Sequence, residues 1–146
     1  MIEIREATIQ DIKTLTPLFD DYRVFYEQQS DLEEASQFLK DRLNKQESHI
    51  LLAVENDEVV GFTQIYPLFS SVSMQAMHLL NDLFVLESHR GKGIAGQLLM
   101  AAKDYAIKQG SKGLSLETHK SNPAQKLYER LDWEKDEEYL HYFWKA

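Results

Sequence analysis

Leu79-Leu80-Asn81-Asp82-Leu83-Phe84-Val85-Leu86-Glu87-Ser88-His89-Arg90-Gly91-Lys92-Gly93-Ile94-Ala95-Gly96-Gln97-Leu98-Leu99 is the stretch that decides the fold. Its first half is short, apolar and rich in branched and aromatic residues, which favours a strand. Its second half continues with apolar residues at Ile94, Leu98, Leu99, Ala102 and Ala106, the spacing of a helix with one buried face. Between them, Arg90-Gly91-Lys92-Gly93 delivers the strand directly into a helix N-terminus. Such a junction is an anion site. Amide N–H groups of the first turn point outward unpaired, and the helix dipole favours negative charge there. Glycines allow positive φ and let a phosphate approach with no Cβ in the way.

Two readings compete for this turn. Gly91-Lys92-Gly93-Ile94-Ala95-Gly96 is literally a G-x-G-x-x-G, and Glu117 lies at the distance expected of a ribose-binding acid. A dinucleotide fold needs several more βαβ units than the remaining chain can supply. Its buried parallel strand would also be apolar throughout, whereas this one carries Asn81 and Asp82. That reading is rejected.

Taken as Arg90-Gly91-Lys92-Gly93-Ile94-Ala95, the turn resembles the Arg/Gln-x-x-Gly-x-Gly/Ala pyrophosphate loop of the GCN5-related N-acetyltransferases. Asn122-Pro123-Ala124-Gln125-Lys126-Leu127-Tyr128 resembles the second acetyl-CoA segment of that family, an Asn preceding a short helix that ends in a Tyr. Leu131-Asp132-Trp133 resembles the Leu-Gly-Trp-type turn that follows, with Asp132 in place of the usual glycine. Asp tolerates the left-handed conformation, so the turn survives. The resemblance covers most of Val59 to Trp144. It implies an α/β acyl-CoA N-acyltransferase fold, in which a mixed, mostly antiparallel sheet is split at its centre and carries helices on both faces.

The rest of the chain is compatible with one domain spanning 1–146. Its hydrophobic content of 43% suffices for a continuous core. There is no cysteine, which excludes disulfides, thiolate metal sites and a Cys nucleophile. No leader or membrane-length apolar run stands out, so a cytoplasmic protein with no membrane partner is expected. A formal net charge of -8 argues against a nucleic-acid partner and suits a cationic small molecule. The histidines show no metal-ligand spacing, and no metal is expected.

Along the chain, Ile2 and Ile4 alternate with Glu3 and Arg5 as in a half-buried strand. Thr8 and Asp11 form a capping box for a first helix, which Pro17 is expected to kink or interrupt. Ser30 and Glu33 form a second capping pair, for a helix burying Phe38, Leu39 and Leu43. His49–Val54 and Val59–Tyr66 read as strands joined at Asn56-Asp57, with Pro67 ending the second or marking it as an edge. Gly110 is placed to cap the central helix. Leu114–Thr118 reads as a strand, and Glu134–Trp144, with Tyr139, Tyr142, Phe143 and Trp144, as a closing hairpin.

The resemblance assigns roles residue by residue. Acetyl-CoA is the implied acetyl donor, its pyrophosphate held by Arg90, Gly91, Lys92, Gly93, Ile94, Ala95 and Gly96. Its pantetheine arm is expected along the strand Leu83, Phe84 and Val85, on the backbone of Leu83 and Val85, with Asn122 bonding the same arm. Asn122 also reads as a plain helix cap, and the two uses are compatible. Tyr128 matches the general acid that gives the leaving thiolate its proton; otherwise it is a buried phenol with a satisfied hydroxyl. The amine must shed a proton too, since only about one in a few thousand is neutral at pH 7. The segment around Asn81-Asp82 resembles the diamine acetyltransferase subgroup, which carries Glu-Asp there. Asp82 is the leading base, with Glu117, His119 or a water relay as alternatives. Asn81, Asp82, Tyr22, Tyr26 and Glu117 are the candidate acceptor contacts; for Tyr22, Phe25 and Tyr26 the residues alone favour ordinary core aromatics. The function implied is N-acetylation of a small, cationic primary amine in one ternary complex. A peptide or protein amine and a non-catalytic acetyl-CoA sensor are the alternatives. The aromatic C-terminal end suits a homodimer contact.

Overall fold

A computed structural model describes residues 1–146, and its packing divides them into Met1–Leu116 and Glu117–Ala146. The first unit holds a five-stranded mixed sheet in the order β1-β2-β3-β4-β5. Its strands are β1 (Glu3–Glu6), β2 (His49–Glu55), β3 (Glu58–Ser70), β4 (Gln75–Val85) and β5 (Leu114–Ser115). The first four pair antiparallel, whereas β5 joins β4 in parallel. Three helices accompany them: α1 (Ile12–Phe25), α2 (Leu32–Asn44) and α3 (Ile94–Lys108). This is the mixed, mostly antiparallel sheet with accompanying helices that the sequence led us to expect. No helix is long and apolar enough to cross a membrane.

Strand β2 shows why the helices lie on both faces. All of Ile50 to Val54 is buried, and alternation sends successive side chains to opposite sides. Ile50, Leu52 and Val54 join Leu15, Leu18, Phe19 and Leu39 of α1 and α2 in one core. The other face is covered by α3, which buries Ile94, Leu98, Leu99, Ala102 and Ala106, the five positions its periodicity marks. The β2–β3 turn runs through Asn56 and Asp57 at φ 50 and 66, as a two-residue hairpin requires. Gly110, at φ 64, ends α3 as its sequence position suggested.

Several expectations are corrected. Helix α1 continues unbroken through Pro17. Pro17 and Lys13 are both exposed, so the Lys13 carbonyl that loses its helical donor is left to solvent. Asp31, not Ser30, caps α2, accepting from the Glu34 N–H at 3.0 Å. The Ser30 hydroxyl is engaged elsewhere, donating to Asp20 Oδ2 at 2.6 Å. Phe38 is partly exposed, although Leu39 is fully buried. Strand β3 runs past Pro67 to Ser70. Its pairing with β2 ends at Ile65, so the missing N–H of Pro67 falls where that edge has no partner.

Asp20 is buried between α1 and α2, and also accepts from the Asp31 N–H at 2.8 Å and pairs with Arg23 at 3.5 Å. Burial opposes its ionisation, but Ser30, Asp31 and Arg23 outweigh it and hold the carboxyl below its ordinary range. Asp20→Ala should therefore cost about 2–4 kcal/mol, because it strands buried donors. Chemical denaturation at pH 7 checks this. A depressed pKa contributes stability above the unfolded value near 4, so the difference from the parent should shrink as pH falls below about 4.

The second unit contains one short helix, α4 (Gln125–Arg130). Asp132 follows it at φ 64, in the left-handed conformation its place in the motif requires. The strand expected at Leu114–Thr118 is reduced to the two residues of β5. The hairpin expected over Glu134–Trp144 is absent. Its apolar residues have no face to bury them: Tyr139, Tyr142, Phe143 and Trp144 are 80–85% exposed. The amides of Glu138 and Tyr139 turn onto Asp136 Oδ1 instead of entering a ladder.

Candidate active site

The glycine turn has the conformation its sequence called for. Gly91 and Gly93 sit at φ 76 and 79, and the first backbone bond of α3 runs from the Gln97 N–H to the Gly93 carbonyl. The N–H groups of Ile94, Ala95 and Gly96 are thus left facing out of the helix start. A Cβ built on Gly91 or Gly93 would meet no atom of the chain within 4 Å, so open space lies over the turn. An anion can approach these amides without meeting a side chain at Gly91 or Gly93. Lys92 is exposed beside it, whereas Arg90 folds back onto β4. Its Nε donates to the Val85 carbonyl at 3.0 Å, and its guanidinium lies 5.3 Å from the Phe84 ring centre.

The other edge of β4 provides the second element. Strand β5 pairs only with His78 and Leu79, so β4 has no strand partner on that side from Leu80 to Val85. The Leu86 N–H donates to Val60 of β3. Backbone groups alternate along a strand, which turns those of Leu83 and Val85 to the edge without a strand partner, where the Val85 carbonyl accepts from Arg90. The sheet is thus open along this edge of β4, where β5 ends after two residues.

Asp82 provides the third. It is 2% exposed and faces a pocket of about 250 Å³ walled by Phe19, Tyr22, Ala35, Phe38 and Tyr66, with Arg23, Glu34 and Asn81. A bulge between Gln64 and Ile65 leaves Asn81 without a partner across the ladder. Asp82 Oδ1 accepts from Asn81 Nδ2 at 2.6 Å and from the Tyr22 hydroxyl at 3.3 Å, and Oδ2 from Gln64 Nε2 at 2.5 Å. Burial pushes the Asp82 carboxyl above the ordinary range, against the pull of the Asn81, Gln64 and Tyr22 bonds. Burial, and then the neighbouring Asp82, raise the Tyr22 and Tyr66 phenols as well. A buried carboxyl of raised basicity beside a small cavity can take a proton from an amine.

The remaining candidates are placed as follows. Tyr26 is half exposed and packs edge-on against Tyr22 at 5.1 Å, outside the pocket wall. Phe25 is more exposed and lies against Phe84. In the second unit, Asn122 Oδ1 accepts from the Ala124 N–H at 2.9 Å, an Asx turn that starts α4. Tyr128 lies in α4, its ring 6.1 Å from that of Trp133. Glu117 pairs with His141 at 3.1 Å, and His119 bonds the Ser121 hydroxyl at 2.6 Å. Gln64, Tyr66, Phe38 and Glu34 are site residues that the sequence reading did not reach. The one available signal was a glutamine on the same strand face as Phe62 and Tyr66.

The chain is similar to known proteins along most of its length. A family model described as the acetyltransferase (GNAT) family matches residues 13–133. The chain is 51% identical over 142 residues to an uncharacterized N-acetyltransferase, YhfO, of Bacillus subtilis, covering 97% of this chain and 95% of that one. It is 33% identical to a probable acetyltransferase of Haemophilus influenzae, covering 88% and 97%. A crystal structure of a probable acetyltransferase superposes with a TM-score of 0.94 at 37% identity, covering 99% of this chain and 97% of that one.

Proposed function

The chain belongs to the GNAT acetyltransferase family and is an N-acetyltransferase, and we propose that its acceptor is a small cationic primary amine bound against Asp82. The observation that carries this reading is the buried Asp82 carboxyl in an aromatic pocket of about 250 Å³. Pockets for drug-sized ligands occupy roughly 300–1,000 Å³, so the size favours a small acceptor over a protein chain. Aromatic walls and the buried Asp82 carboxyl suit an alkylammonium. Asn81 adds no charge, and Arg23 and Glu34 on the wall carry opposite signs, so a monoamine is favoured over a tightly held polyamine.

Family members use acetyl-CoA, which when bound supplies an acetyl group activated as a thioester. The amides from Gly91 to Gly96 and the Lys92 side chain hold its pyrophosphate, and the backbone of Leu83 and Val85 receives its arm. Asn122 is assigned to the same arm by its place in the motif. Asp82 takes the proton of the amine nitrogen, which is otherwise protonated at pH 7. Tyr128, assigned by its place in the motif, gives up its hydroxyl proton to the departing sulfur.

Thermal denaturation with acetyl-CoA tests the loop. At a hundredfold excess over Kd the gain is about 2.7 kcal/mol, or roughly 5–10 °C for a domain of this size. Gly93→Val should abolish the shift: a β-branched residue is strained at φ 79, and its side chain would occupy the open space over the turn. An undiminished shift in that variant removes the glycine turn from the reading.

A further inference from the structure

We infer that Gln64 is a positioning residue for acetyl transfer: from β3 it fixes the Asp82 carboxyl in the orientation from which Oδ1 meets the amine. The inference rests on the reading of Asp82 as the base. Gln64 is fully buried and stands directly across the ladder from Asp82, the last pair before the Asn81 bulge. Its Nε2 donates to Oδ2 at 2.5 Å, while Oδ1 takes Asn81 and Tyr22. The two carboxylate oxygens are thereby distinguished. Oδ1 is turned to the pocket-wall residues Tyr22 and Asn81, and Oδ2 to Gln64, which is not part of that wall.

The other end of the same amide sharpens the case. Gln64 Oε1 is buried with no hydrogen-bond partner. A half-satisfied amide in a core is a liability that an apolar side chain of similar size avoids. Packing alone therefore gives no reason for glutamine at this position, whereas the bond to Asp82 does. Thr63, next to it, donates its hydroxyl to the Asp82 carbonyl at 2.7 Å, so β3 grips both the backbone and the side chain of the base. The charged or titratable groups around the pocket besides Asp82 are Tyr22 and Arg23 of α1, Glu34 of α2 and Tyr66 of β3. Both phenols remain protonated through neutral pH, and Arg23 is paired with Asp20.

The test compares the pH dependence of kcat/KM for the parent, Gln64→Leu, Gln64→Met and Asp82→Asn, with thermal denaturation of each. Removing the donor to Oδ2 withdraws a bond that favours the carboxylate. The acid limb of kcat/KM should therefore move upward by about one pH unit in Gln64→Leu and Gln64→Met. The melting temperature should change little, because removal of the unpaired Oε1 offsets loss of the bond to Asp82. Two independent apolar replacements guard against one that merely packs badly. If the acid limb stays in place in both while rate falls in step with stability, Gln64 is only structural and the inference is overturned. If Asp82→Asn itself leaves the acid limb unchanged, the base reading fails first and Gln64 has nothing to position. A limb that is lost in Asp82→Asn and moved in the Gln64 variants supports both.

Discussion

Tyr128→Phe is expected to lower turnover by about 10²–10⁴ with acetyl-CoA binding little changed, the range for losing a positioned general acid. The substitution removes one oxygen and keeps the ring. That ring packs near Trp133, whose backbone N–H donates to the Tyr128 carbonyl at 3.0 Å, so the turn after α4 keeps its support. Turnover at saturating acetyl-CoA, beside the thermal shift given by the same ligand, separates the two effects. A variant that turns over at the parental rate shows that water protonates the leaving sulfur and that Tyr128 is structural.

Asp82→Asn carries the second large effect. With the base gone, turnover at pH 7 should fall by about 10²–10⁴, and the rate should climb toward the pH near 10 where the amine loses its own proton. The Michaelis constant of the amine should rise as well, since its ammonium loses a carboxyl partner. Stability should move the other way. Burial holds the Asp82 pKa above its unfolded value near 4, so ionising it costs stability as pH rises from that value through the folded one. An uncharged Asn avoids that cost, and the melting temperature at pH 7 should be unchanged or higher. Should the Michaelis constant and pH profile both match the parent, Asp82 is neither base nor anchor, and the acceptor must be sought among neutral or acidic amines.

The parts of this molecule that could be read from sequence are those set by local stereochemistry. The left-handed conformations of Gly91, Gly93, Gly110 and Asp132 follow from residue type and position, and so does the hairpin turn at Asn56-Asp57. The buried stripe of α3 follows from its period. What escaped depends on neighbours distant in the chain. Ser30 looks like a cap until Asp20, ten residues earlier, takes its hydroxyl. Pro67 reads as a strand end or an edge, and only the stop of β2 opposite Ile65 selects the edge. The C-terminal run is aromatic enough for a strand, but aromatic content does not provide an edge to pair with. In the site, Asp82 stood out as an acid inside an apolar strand. Gln64 did not, because its meaning lies in the register that sets it opposite Asp82.

Release of free thiol from acetyl-CoA, followed with the purified protein against a panel of amines, bears most directly on the proposed activity. The panel should contain monoamines, diamines, polyamines, basic amino-acid derivatives, neutral and acidic amines, and peptides with free N-termini. Amine-dependent release is expected, greatest with a small cationic monoamine, weaker with longer polyamines and absent with peptides. Release only with peptide amines, or acetyl-CoA binding with no amine-dependent release from any member, would contradict it.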